Sequence, residues 1–142
     1  MAILCVDYGR RRIGIALSES ALLATPHSVM PNPGGVEESA TAIAALGASL
    51  GAQCYVVGLP RRSRSGSADR GLDPYRALAE LLRQKTRKEV ILWDEALSTS
   101  EALSRRREAG SPRRRMGIKG IDMEAAAVIL QSYLDENPQE SR

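Results

Sequence analysis

The stretch Leu-Cys-Val-Asp-Tyr-Gly-Arg-Arg-Arg-Ile-Gly-Ile-Ala-Leu-Ser, residues 4 to 18, decides how this chain folds. Ile3 to Asp7 is a short apolar run that predicts a strand, and Tyr8 to Arg12 is a basic, glycine-containing turn. From Ile13 to Ser18 the residues Ile13, Ile15 and Leu17 alternate with smaller ones, the period of a second strand. The two runs predict a hairpin. It carries one acid, Asp7, and three consecutive cations, Arg10, Arg11 and Arg12, to the same end of a sheet.

Working outward, Ala24 to Val29 predicts a third strand, at an edge, because Pro26 has no N–H to give a ladder. After the breaker Pro31-Asn32-Pro33-Gly34-Gly35, the apolar positions Val36, Ala40, Ile43, Gly47 and Leu50 share one face of a helix that stops at Gly51. Cys54 to Leu59 is nearly all apolar, as expected of a central parallel strand covered on both faces. Arg61 to Asp73 has almost nothing to bury and reads as a mobile loop. Asp73 as N-cap with Pro74 at the first helical position begins a helix through Leu78, Leu81 and Leu82 to about Lys88. Val90 to Trp93 predicts the last strand, ending in the acidic pair Asp94-Glu95. Ser98 and Glu101 form a capping-box pattern for a helix to Ala109, Ser111 to Gly120 reads as a basic flexible loop, and a final helix runs from Asp122 to about Glu136. The order β-β-β-α-β-α-β-α-α implies an α/β three-layer domain whose sheet is part antiparallel hairpin and part parallel. In such sheets functional groups gather at the carboxyl ends of parallel strands. Asp7 and Glu95 both sit at strand ends.

With 142 residues, 43% of them hydrophobic, the chain suits one domain over residues 1–137, followed by a frayed tail at 138–142. Only Ala2 to Val6 is apolar before Asp7, which offers no signal peptide or membrane span and predicts a cytoplasmic protein. Cys5 and Cys54 lie within apolar strands and are expected as free, buried thiols, and with the single His27 they make no zinc-ligand spacing. The net charge is only +3, but the cations are clustered. Arg10, Arg11 and Arg12 make the first cluster, Arg61, Arg62, Arg64 and Arg70 the second. Arg105 to Arg107 make the third, and Arg113, Arg114 and Arg115 with Lys119 the fourth. One such cluster can be a solvated face; four in loops and helix ends favour a polyanion, since guanidinium forks match phosphate. With no Phe, one Trp and four Tyr, the chain lacks the interleaved aromatics of a single-strand platform, so backbone contact and shape should dominate recognition.

Three acids can serve a phosphodiester reaction. Hydrolysis needs a water nucleophile at neutral pH and stabilised charge on both attacking and leaving oxygens, which two hard cations about 4 Å apart supply. Magnesium needs only a few carboxylate oxygens, so Asp7, Glu95 and Asp122 are sufficient, with Asp94 as a further candidate ligand. Each has a plainer reading as well: Asp7 as an Asx-turn, Asp122 as a helix N-cap, Asp94 and Glu95 as a solvated strand end.

Four segments then carry a family resemblance: residues 4 to 18 quoted above, Val-Val-Gly-Leu-Pro at 56 to 60, Trp-Asp-Glu-Ala-Leu-Ser-Thr at 93 to 99, and Asp-Met-Glu-Ala-Ala-Ala-Val-Ile-Leu-Gln-Ser-Tyr-Leu at 122 to 134. Together they resemble the YqgF, or RuvX, family of RNase H-like bacterial proteins, described as pre-16S rRNA nucleases and Holliday junction resolvases. The resemblance implies an RNase H-like mixed five-stranded sheet with helices on both faces. It places the family's acidic residues on Asp7, Glu95 and Asp122, with Mg2+ or Mn2+, two ions, as cofactor and structured RNA or branched DNA as partner. Ala96 and Ser98 depart from the Arg and Thr that usually follow the acidic pair, and Arg61-Arg62-Ser63-Arg64 replaces an uncharged polar stretch. Resolvases of related fold act as homodimers on two symmetric strands, whereas trimming an rRNA precursor needs no such symmetry; the sequence does not decide between them, and the resemblance implies maturation of the 5' end of pre-16S rRNA first, with branched-DNA cleavage as the close competitor. Asp7-x-Gly9 with Gly14 also resembles the phosphate hairpin of sugar kinases and actin-like ATPases, but those need two lobes and this chain has material for one. A non-catalytic nucleic-acid-binding or ribosome-assembly module of the same fold is the other alternative.

Overall fold

The computed structural model describes residues 1–60, 73–95 and 117–138, with side chains throughout except at 117–122. Strand β1 (Ala2–Tyr8) pairs antiparallel with β2 (Arg12–Ser18), Asp7 lying opposite Gly14. Strand β3 (Thr25–Pro31) pairs antiparallel with β2 on its far side. Helix α1 (Val36–Leu50) returns the chain to β4 (Ala52–Leu59), which runs parallel to β1. Helix α2 (Asp73–Thr86) leads to β5 (Glu89–Asp94), parallel to β4, and α3 (Gly117–Glu136) closes the fold. The five strands lie in the order β3-β2-β1-β4-β5, so the expected mixed sheet, with its hairpin half and its parallel half, is what forms.

Alternation divides the sheet's side chains between two cores. Leu4, Val6, Ile13, Ile15, Tyr55 and Val57 pack under α1 and α2 with Ala40, Ile43, Leu78 and Leu82. Ile3, Cys5, Ala16, Cys54 and Val56 pack under α3 with Ala126, Ala127, Leu130, Tyr133 and Leu134. Each fully buried Ile or Leu contributes about 1.5–3 kcal/mol, so both layers are strongly held to the sheet. Gln131 of α3 also clamps the connection between β2 and β3: its Oε1 accepts from the Ala24 N–H (2.9 Å) and its Nε2 donates to the Leu22 carbonyl (3.0 Å).

The boundaries differ from expectation in instructive places. The edge strand holds Pro26 as expected, opposite Ala16, but runs on through Pro31. Its ladder shifts between Ile15 and Ala16, the irregularity that lets a proline sit there. Helix α2 ends at Thr86 rather than Lys88, because Arg87 adopts φ 57 and leaves the helical region. The final helix begins at Gly117, five residues before Asp122, so Gly117 to Gly120 is helical rather than loop. Two glycines cost a helix about 1 kcal/mol each, less than the long packed remainder of α3 returns. The expected helix from Ser98 to Ala109 falls outside the described residues, as does the expected loop from Arg61 to Asp73 except for Asp73 itself, the first residue of α2.

Candidate active site

Strand β1 delivers Asp7 by simple alternation. Ile3 and Cys5 face α3, so Asp7, next in that row, emerges on the α3 side at the carboxyl end of the strand. Glu95 follows Ile91 and Trp93, the α3-facing residues of β5, and arrives at the same rim. Between them lies Gly58 of β4. Val6 pairs with Val57 and Gly58 with Trp93, so Gly58 is the rung that separates the two acids. A methyl group at Gly58 would stand 2.9 Å from Ile129 Cδ1 and 3.5 Å from Glu95 Oε1. The absence of a side chain therefore leaves room for both the helix and the acid.

The Asp7 and Glu95 carboxyl groups lie near enough for a side-chain hydrogen bond to act between them. Burial raises the Glu95 carboxyl above its ordinary range; the Asp7 hydrogen bond draws it back and the Asp94 charge raises it further. The Cys5 thiol, fully buried beneath them, is pushed well up, first by burial and then by the charges of Asp7 and Glu95. Cys54 is pushed up to about 12 by burial and by Glu89. Both cysteines are free, as expected, and both stay protonated and serve packing.

Helix α3 is fixed to the end of β5 by Trp93. Its Nε1 donates to Ser132 Oγ at 3.1 Å, and its ring meets Tyr133 edge-on at 5.4 Å between centroids. This contact ties the strand that carries Glu95 to the helix that carries Asp122. The backbone of Asp122 lies within the second turn of α3, a position that rules out the N-cap role its sequence allows. Asp94 is turned away: alternation along β5 places it with Leu92 on the α1 and α2 side, opposite Leu59. Among the described residues no group of three metal-ligating side chains assembles; the structure brings together Asp7 and Glu95.

The basic residues divide likewise. Arg10 and Arg11 are exposed on the β1–β2 turn and Arg12 is partly covered, while Arg61, Arg62, Arg64, Arg113, Arg114 and Arg115 lie outside the described residues, as does the Lys119 side chain. Residues unread in the sequence also reach the rim. Tyr75, near the start of α2, packs edge-on against Tyr8 with 6.0 Å between ring centroids. Both line a cleft of about 500 Å³ with Gly9, Arg10, Asn32 and the Gly34-Gly35-Val36 segment. No pattern in the sequence marks Tyr75, since its neighbours Pro74 and Arg76 read only as helix start.

Sheet order, the parallel half and the acids at its carboxyl rim define an RNase H-like α/β domain. Known structures agree: over 97% of both chains the fold superposes on Thermus thermophilus RuvC in complex with a Holliday junction substrate, with a TM-score of 0.68 at 12% identity. A family model described as "RuvX: Holliday junction resolvase" matches residues 1–136, and the chain belongs to that nuclease family. Relatives that carry the name "Putative pre-16S rRNA nuclease" include one from Anaeromyxobacter sp., 43% identical over 136 residues that cover 95% of this chain and 97% of the relative. Another, from Chlamydia muridarum, is 33% identical over 135 residues, covering 94% and 91%.

Proposed function

We propose that this protein is a metal-dependent endonuclease that hydrolyses phosphodiester bonds in structured nucleic acid, with Asp7, Glu95 and Asp122 as its cation ligands. The close approach of the Asp7 and Glu95 carboxyl groups carries the reading. Two carboxyl groups that close, one of them half-buried, coexist only by sharing a proton or a cation, and a hard divalent ion is the stronger partner at neutral pH. The donor set is oxygen only, which suits Mg2+ or Mn2+. When bound, such ions lower the pKa of water and stabilise charge on the attacking and leaving oxygens. The chain's own contribution is placement. β1 and β5 hold Asp7 and Glu95 at one rim, Gly58 keeps the space between them clear, and the arginines of the β1–β2 turn meet the phosphate backbone.

The relatives' names support maturation of the 5' end of pre-16S rRNA as the biological reaction, and the family description supports cleavage of branched DNA, the second reading. The catalytic unit spans residues 1–137. No helix among the described residues is long and apolar enough to cross a membrane, consistent with action in the cytoplasm. A junction resolvase of this design would work as a homodimer; a precursor-trimming enzyme would not need to.

The test is to offer the purified protein a four-way DNA junction and precursor rRNA, each with magnesium or manganese, beside Asp7→Asn. Cation-dependent cutting that disappears in the variant supports the assignment. Binding of both substrates with no cutting under either cation would make the protein a binding module instead.

A further inference from the structure

We propose that the cleft between Tyr8 and Tyr75 receives one unpaired nucleotide of the substrate strand, its base held against the tyrosine rings and its phosphate beside Arg10. This subsite rests on the nuclease reading for its substrate, but its binding role is separable from cutting.

Position is the first argument. The cleft lies at the carboxyl end of β1, where Tyr8, Gly9 and Arg10 follow directly on Asp7, and it opens on the α1 and α2 side of the sheet against which Tyr8 packs. A strand that passes over the end of β1 at Asp7 would meet the cleft within one residue's length of the acid.

Chemistry is the second. About 500 Å³ lies within the roughly 300–1,000 Å³ range of small-ligand sites, ample for one nucleotide and too small for a base pair with its backbones. Both tyrosine rings, meeting at 90°, line the cleft, and Gly9, Gly34 and Gly35 share its wall with Arg10, Asn32, Val36 and Pro74. Bases of any identity stack on such surfaces. Two rings are far from the repeated aromatics of a single-strand platform, which is why the subsite suits a single base.

The polar wall is already committed. Asn32 Nδ2 donates to the Gly9 carbonyl at 2.8 Å, while its Oδ1 accepts from the Gly34 N–H at 2.9 Å and from Ser39 Oγ at 3.3 Å. Ser39, fully buried, in turn holds the Tyr8 hydroxyl at 3.3 Å. This network fixes the Tyr8 ring and commits the Asn32 Oδ1 and one of its two Nδ2 protons. With the Asn32 acceptor committed and a single N–H left to a base edge, stacking dominates and the subsite takes an unpaired nucleotide with little preference for which one.

The experiment uses a DNA duplex with a single unpaired 2-aminopurine and the same duplex fully paired, both with chelator present so that no cutting intervenes. Wild type and Tyr75→Phe are expected to bind the bulged duplex more tightly than the paired one and to quench the 2-aminopurine. Tyr75→Leu, which keeps apolar bulk but offers no ring face, should lose the quench and bind the bulged duplex about ten-fold more weakly, leaving the paired duplex unchanged. Quenching by Tyr75→Leu equal to wild type, equal weakening on both duplexes, or no binding of the bulged duplex by wild type would each overturn the subsite. If the quench depends on Tyr75 while the wild type never cuts with added cation, the subsite stands and the nuclease reading fails. If the protein cuts with cation but shows no Tyr75-dependent quench, the nuclease reading stands and the subsite fails.

Discussion

At the scale of the residue, the site is two acids that would repel one another if nothing lay between them. Asp7→Asn should abolish cutting while preserving or tightening nucleic-acid binding, because it removes a negative charge that faces phosphate. Outer partners of a metal ligand typically cost about 10–100-fold in affinity or activity, so loss of the ligand itself should reach at least the upper end, read as cleavage rate against binding affinity. Equal loss of both would make Asp7 a structural residue. Glu95 gives a second expectation, through pH. Its carboxyl is raised chiefly by burial, so the folded protein holds that proton more tightly than the unfolded chain does. Without cations, this contribution to stability is complete below the ordinary carboxylate range and is lost as pH rises through the raised folded value. Glu95→Gln, always neutral and able to meet Asp7 through either its amide oxygen or its amide N–H, should therefore raise the melting temperature of the cation-free protein at pH 7 and have no such effect near pH 3. A lower melting temperature at pH 7 would contradict it. Asp7 and Glu95 are legible in the sequence because each ends an apolar run. Asp94 is legible only as part of an acidic pair, and strand alternation then separates it from Glu95. The approach of Asp7 to Glu95, far apart along the chain, is not written in either segment; it requires the sheet order.

At the scale of the element, close packing decides what the sequence leaves ambiguous. Strands and helices with clear periods, β1, β2, α1 and β4, form as expected. The final helix starts earlier than its acidic and apolar pattern suggests, because local glycine propensity is overridden by the rest of α3 packed on the sheet. Gly47 shows the same contest in reverse. Alanine in mid-helix is ordinarily favoured over glycine by about 1 kcal/mol, yet a methyl group at Gly47 would collide with the phenol ring of the buried Tyr55. Overpacking of that kind costs about 1–3 kcal/mol, so Gly47→Ala should destabilise the fold on balance, measured by denaturant unfolding. Gly58→Ala should have a milder effect on stability and a larger one on cutting. Its methyl group meets a flexible Ile129 Cδ1 at 2.9 Å while sitting 3.5 Å from Glu95 Oε1. Adding Ile129→Val, which removes that Cδ1, should restore the stability without restoring the rate. Recovery of both together would show that Gly58 matters for helix packing alone.

At the scale of the whole molecule, a modest net charge of +3 conceals a basic edge, with Arg10 and Arg11 exposed beside the acidic rim. Replacing both by Ala should shallow the dependence of log affinity on log salt by about 0.9 for each duplex phosphate that they neutralise in the wild type. An unchanged slope would remove the β1–β2 turn from the interface. The arrangement of the sheet is readable because antiparallel hairpins and helix-connected parallel strands leave different signatures in the chain. Its consequence, a rim where β1 and β5 flank β4, brings Asp7 and Glu95 together across Gly58. Whether that rim holds cations is tested most directly by anomalous diffraction from crystals soaked in manganese. A manganese peak bridging Asp7 and Glu95, with Asp122 completing its oxygen ligands, is the expected result. Crystals in which those carboxylates remain hydrogen-bonded to each other at saturating manganese, with no ion between them, would contradict it.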